Sequence, residues 1–115
     1  MESFERELEV YFTAEGRAPF TDWLDSLRDI RGRAKIRTRL DRVRLGNFGD
    51  RANVGDGVEE LRIDFGPGYR VYFGHAGSKV VLLLCCGDKS TQTQDILQAK
   101  SYWKDYKKRS GHGSK

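Results

Sequence analysis

At 115 residues the chain has room for one domain with its own core, and needs neither disulfides nor a metal to fold. A charged fraction of 33% and a mean hydropathy of −0.69, with no apolar run near the roughly 20 residues of a span, exclude membrane-crossing helices. The formal charge of +4 and pI of about 9.2 favour polyanionic partners, and the acidic opening MESFERELEV is not a signal peptide, so a cytoplasmic protein is expected.

From Arg6 to Thr13, Leu8, Val10 and Phe12 alternate with Glu7, Glu9 and Tyr11, which predicts a half-buried strand with the first three inward. Glu15-Gly16-Arg17 turns the chain. Pro19 suits the first position of a helix, and Phe20, Trp23, Leu24 and Leu27 follow at helical spacing. Gly32 interrupts that pattern. A second helix is expected from about there to Leu45, burying Ile36, Leu40 and Val43, with Gly46 as its stop. Between Arg28 and Arg44 eight cations face only Asp29 and Asp41. Such a stretch suits a polyanion or an acidic partner segment; it is also what a plain solvated helix face looks like.

Gly46 to Gly57 (GNFGDRANVGDG) shows no periodicity and is expected to be a loop, either a connector or a flap beside a binding surface. Val58 to Phe65 then alternates, with Leu61, Ile63 and Phe65 inward and Glu60, Arg62 and Asp64 outward. Pro67-Gly68 makes a two-residue turn. Tyr69, Val71 and Phe73 return inward, opposite Arg70 and Tyr72. Lys79 to Cys86 is apolar almost throughout, the mark of a strand covered on both faces. The adjacent Cys85 and Cys86 point to opposite faces, which suits neither a zinc site nor an ordinary disulfide; both are expected buried and reduced. Thr91 with Gln94 matches a capping box for a last helix that buries Ile96, Ala99, Trp103 and Tyr106. The expected fold is α+β in the order β-α-α-β-β-β-α, with a mainly antiparallel sheet and the helices packed on one face. Residues 1–109 form the single domain, followed by a disordered tail over 110–115.

Alternation places Arg62, Arg70 and Tyr72 on one polar sheet face, with Lys89 at its rim. Three cations and a phenol make a phosphate-sized site. In RNA cleavage by a ribose 2′-OH, charge builds on the phosphoryl oxygens, which Arg62 and Arg70 can neutralise through bidentate hydrogen bonds. Lys89, Tyr72 and Asp95 are the candidates for moving protons. Phe48 or Tyr72 can stack a splayed base, and Arg33, Arg37 and Arg44 of the basic helix are further candidate RNA contacts. Each has a plainer alternative: Arg62 and Arg70 can pair with Glu60 and Asp64, and Tyr72 can be a cross-strand packing residue. His75 lacks an obvious partner and His112 lies in the tail, so a two-histidine ribonuclease is not expected. The FGPGYR segment joins two strands and is not a nucleotide-binding glycine loop; GxSxG, HExxH and metal-ligand spacings are missing, and no cofactor is expected.

The segments GVEELRIDFGPGYRVYF, VVLLLCCGDKSTQTQDI and YWKDYKK, with PFTDWLDSL and RAKIRTRLDRVRLGNFGD upstream, resemble the RelE/ParE toxin superfamily, and within it the HigB-like addiction module killer proteins. The likeness covers about residues 6–108. It implies a compact RelE-like fold, a partner antitoxin encoded beside the toxin, and ribosome-dependent mRNA cleavage that halts translation. By position, Arg70 matches the central phosphate-binding arginine of RelE-like toxins, Lys89 a second catalytic position, and Arg62 a basic residue of the preceding strand. The catalytic tyrosine of RelE near the start of the last helix has no counterpart, since Gln92, Gln94 and Asp95 stand there. That departure keeps open the ParE-type alternative, a gyrase-binding toxin without nuclease activity, and a degenerate module that serves only to bind its antitoxin.

Overall fold

The computed structural model describes residues 4–110. Its elements are β1 (Glu7–Val10), α1 (Pro19–Ser26), α2 (Ile30–Arg44), β2 (Arg51–Gly55), β3 (Val58–Ile63), β4 (Tyr69–His75), β5 (Val80–Asp88) and, after a 3-10 turn over Lys89–Thr91, α3 (Gln92–Ser110). The five strands form one mixed sheet in the order β1-β5-β4-β3-β2. Neighbours are antiparallel except β1, which lies parallel to β5 with Glu7 opposite Val80. Among the described residues no helix is long and apolar enough to cross a membrane.

The α+β class and the mainly antiparallel sheet agree with the sequence; the placement of the helices does not. Phe20, Leu24, Ile36, Leu40 and Val43 of α1 and α2 bury one sheet face, against Leu61, Ile63, Val71, Phe73, Val81 and Leu83. Ala99 and Trp103 of α3 bury the other, against Val58, Tyr72, Leu82, Leu84 and Cys85. Helices therefore cover both faces. The second face is apolar along much of its length, and α3 removes that apolar surface from water.

Further corrections are local. A fourth antiparallel strand, β2, lies within the stretch expected to be a loop; its apolar content is too low to announce it, and backbone pairing to β3 holds it. β1 ends at Val10, so Phe12 is 55% exposed, while Tyr11 turns beneath α3, stacks on Tyr102 and donates to Asp105 Oδ2 at 2.5 Å. The bond from Gly68 N to Phe65 O makes Gly66-Pro67 the centre of the β3–β4 turn, with Gly66 at φ +56°. α2 starts before Gly32, because Asp29 caps it by accepting from Gly32 N at 2.9 Å. The cap before the 3-10 turn that leads into α3 is Asp88, whose carboxylate accepts from Ser90 N and whose backbone N–H donates to Thr91 Oγ1, rather than the Thr91–Gln94 pair.

Gly46 stops α2 at φ +88°, as the sequence predicts. Cys85 and Cys86 are free and buried on opposite faces, and burial pushes the Cys85 thiol up to about 12. A bulge opposite Tyr72 and Phe73 inserts Leu84, so Leu84 and Cys85 both lie under α3. Ser110 closes α3, and the rest of the expected tail, His112 included, lies outside the described residues.

Candidate active site

Arg62 and Arg70 are direct cross-strand partners on β3 and β4. Lys89 follows Asp88, which pairs with Tyr69 at the end of β5. The sheet edge and the β3–β4 turn thus gather Arg62, Arg70 and Lys89 along one cleft of about 330 Å³, which Asp50, Asp64 and Gly66 to Gly68 also line. Gly68, at φ +82°, lets the backbone pass close to the Arg70 guanidinium and Lys89; a Cβ there would lie 3.4 Å from each.

Like charges directly opposite on a sheet repel. What holds them is Glu60, two residues before Arg62 on the same face and wholly buried. Its carboxylate accepts from Arg62 Nε at 2.9 Å, Gln92 Nε2 at 2.7 Å and the Tyr72 hydroxyl at 3.0 Å, with Arg70 Nε at 3.9 Å. Burial pushes this carboxyl up, but the hydrogen bonds from Gln92, Arg62 and Tyr72 outweigh it and hold it below the usual carboxylate range. The Arg70 side chain is only 12% exposed, and its Nη1 donates to the carbonyls of Gly68 and Tyr69 at 3.2 and 3.3 Å. Its Nε is buried without a hydrogen-bond partner among the described residues.

The other expected site residues are elsewhere. Tyr72 is fully buried behind Glu60, and burial first, then Glu60, raises its phenol far above the usual value. It does not titrate near neutrality, and its hydroxyl is committed to Glu60, outside the cleft lining. Asp95 accepts from Thr91 Oγ1 at 2.5 Å and sits over Gly87, outside the cleft lining. Burial, with the charge of Asp88, raises its carboxyl despite the Thr91 bond. Phe48 is core, packed on Phe73 and His75 with the Arg51 guanidinium over its ring at 4.2 Å, so it cannot stack a base at the cleft. His75 pairs with Glu59 at 2.9 Å.

Of the basic helix, Arg33 is half-buried, and Arg37 and Arg44 are exposed at a separate groove of about 350 Å³ floored by Leu8, Val10, Phe20, Leu24 and Leu40. Arg44 also pairs with Asp41 at 3.0 Å. None of the three lines the cleft. The cation of α2 that serves it is Arg39, which donates to the backbone carbonyls of Arg62 and Asp50, both at 2.6 Å, and of Phe48 at 3.0 Å. Sequence reasoning counted Arg39 among the surface charges, and nothing in its spacing marks it out. Glu60 was visible as a pairing partner for the arginines; its burial became visible only with α3 above it. Among the described residues no group of three or more His, Cys, Asp or Glu is arranged to hold a metal.

The site is thus a small, open cleft that gathers two arginines and a lysine beside Asp50 and Asp64, with the buried Glu60 carboxylate beneath. No family model matches the chain. An uncharacterized protein of Haemophilus influenzae is 54% identical over 81 residues, which span 70% of this chain and 82% of that protein. At that identity and coverage, this chain belongs to the family of the Haemophilus influenzae protein.

Proposed function

We propose that the chain is a RelE/ParE-type toxin of the HigB-like group, and that it halts translation by cutting mRNA on the ribosome. The observation that carries this reading is the meeting of Arg62, Arg70 and Lys89 in one cleft. A phosphodiester in that cleft lies between cations matched to the charge that develops as the 2′-oxygen attacks phosphorus and the bond to the 5′-oxygen breaks. The proton released from the 2′-OH and the one delivered to the 5′-oxygen pass through groups lining the cleft: Lys89 and the carboxylates Asp50 and Asp64. A site this shallow does not hold a single strand by itself, which is the physical reason for assigning the placing of the mRNA to the ribosome. A neighbouring antitoxin with acidic side chains would neutralise the protein by covering the cleft or the arginine-rimmed groove of α2. All of this belongs in the cytoplasm.

One observation favours a second reading, a ParE-like toxin that binds gyrase without cutting RNA: Tyr72 and Asp95 lie outside the cleft, which removes two of the expected proton carriers. Induced expression in a growing bacterium, wild type beside Arg70→Ala, with mapping of mRNA 5′ ends, separates the two. Growth arrest with new ends inside translated codons, both lost in Arg70→Ala, is the expected result. Arrest with intact mRNA and DNA damage would replace the nuclease reading with the gyrase one.

A further inference from the structure

We propose that Glu60 is the positioning residue of the cleft, setting the guanidinium groups of both Arg62 and Arg70 at the cost of part of the cleft's attraction for anions. The proposal rests on the reading of that cleft as a phosphodiester site. Position 60 faces α3 and is wholly buried beside Tyr72, its cross-strand partner. An apolar side chain there would pack without the penalty of burying a charge. Instead a carboxylate accepts from Nε of Arg62 at 2.9 Å and is ion-paired at 3.9 Å with Nε of Arg70, which has no hydrogen-bond partner among the described residues. Tyr72 and Gln92 fix that carboxylate from β4 and α3, so it cannot follow the arginines if they swing. With Nε turned inward, Arg62 has its outer nitrogens for the cleft it lines. Arg70, whose Nη1 is committed to the Gly68 and Tyr69 carbonyls, is narrower still in its choice of pose. The same negative charge weakens the field that draws an anion in. Affinity and turnover therefore pull in opposite directions at this residue, which a purely structural role would not produce.

Glu60→Gln keeps the shape and removes the charge. Three readouts are taken on wild type and variant: binding of a 2′-O-methyl RNA oligonucleotide, which cannot be cut; single-turnover cleavage of ribosome-bound mRNA; and the Nε–Hε NMR signals of Arg62 and Arg70. The variant is expected to bind the oligonucleotide as tightly as wild type or several-fold tighter, and to cleave at least tenfold more slowly. The two Nε–Hε signals, distinct and slow to exchange in the wild type, are expected to be lost. Unchanged cleavage with both signals intact overturns the proposal, as does a joint loss of binding, cleavage and Tm. If the variant does not fold, the wild-type signals decide: fast exchange at both arginines sinks the idea. If the wild type cuts no RNA, only the nuclease reading falls, because the binding and NMR arms still report on Glu60.

Discussion

Tyr69 and Asp29 fasten the start of α2 to the strand that carries Arg70. The phenol donates to Asp29 Oδ2 at 2.6 Å, and the other carboxylate oxygen caps the helix at Gly32. Gly32 leaves room for this pair, since a Cβ would fall within 3 Å of both the Asp29 carboxylate and the Tyr69 ring and would force them to shift. The Tyr69 bond, ahead of the backbone ones, holds Asp29 below its ordinary value, while burial pushes Tyr69 up to about 12, so the phenol remains a donor through the physiological range. A carboxyl depressed in the folded state contributes stability above its unfolded pKa of about 3.9 and loses it as pH falls through the lower folded value. Tyr69→Phe is expected to lower Tm by about 5 °C at pH 7. The gap to wild type should close as pH falls below about 4, the unfolded value, and through the lower folded one, as measured by thermal melts at successively lower pH. An equal gap at all pH values would mean that packing, and not the carboxylate, carries the effect. Neither partner was legible in the sequence: Asp29 read as a stray acid in a basic stretch, and Tyr69 as one inward residue of an alternating strand.

Among the elements, α3 decides what the sheet can do. Two signals in the sequence conflicted over it. Charges alternating through β3 and β4 announced an open face, while the apolar run of β5 announced cover on both sides. Both were right over part of the sheet, because α3 crosses the apolar part and leaves the arginine end open. Trp103 anchors the crossing, its ring lying against Gly74, where a Cβ would come within 3 Å. Trp103→Ala is expected to destabilise the protein by about 3–5 kcal/mol in denaturant unfolding. Gly74→Ala should cost about 1–3 kcal/mol through the forced shift of that ring. If Trp103→Ala melts like wild type, α3 is not held by this contact. β2 escaped the sequence for a different reason: its Arg51 and Asn53 are exposed, and strand character there comes from hydrogen bonding to β3, which composition does not encode.

Over the whole molecule, positive charge and the candidate chemistry are separated. The cleft balances Arg62, Arg70 and Lys89 against Glu60, Asp50 and Asp64, so the excess of +4 arises elsewhere, above all on α2 and the last turn of α3. Attraction to RNA should therefore come from one surface and turnover from another. On the proposed reading, Arg37→Ala and Arg44→Ala each reduce the slope of log affinity against log salt by about 1 and leave single-turnover cleavage near wild type. Loss of cleavage without a change in slope would move those arginines into the reacting site. The basic stretch was plain in the sequence; its distance from Arg70 was not, because linear charge says nothing about which side of a sheet a helix will take.

The parallel seat of β1 beside β5 has a kinetic consequence. Glu7 is made 73 residues before its partner Val80, and a contact of such sequence separation closes slowly. While β5 is still being made, Leu8 and Val10 have no strand to lie against, and the α1–α2 layer has only part of its floor. The β3–β4 hairpin that carries both arginines is local and can form early, but the segments that bring Lys89 and Gln92 to it come later in the chain. β1 can therefore dock only after β5 has been made, and the cleft is complete only once Lys89 and Gln92 have followed the hairpin.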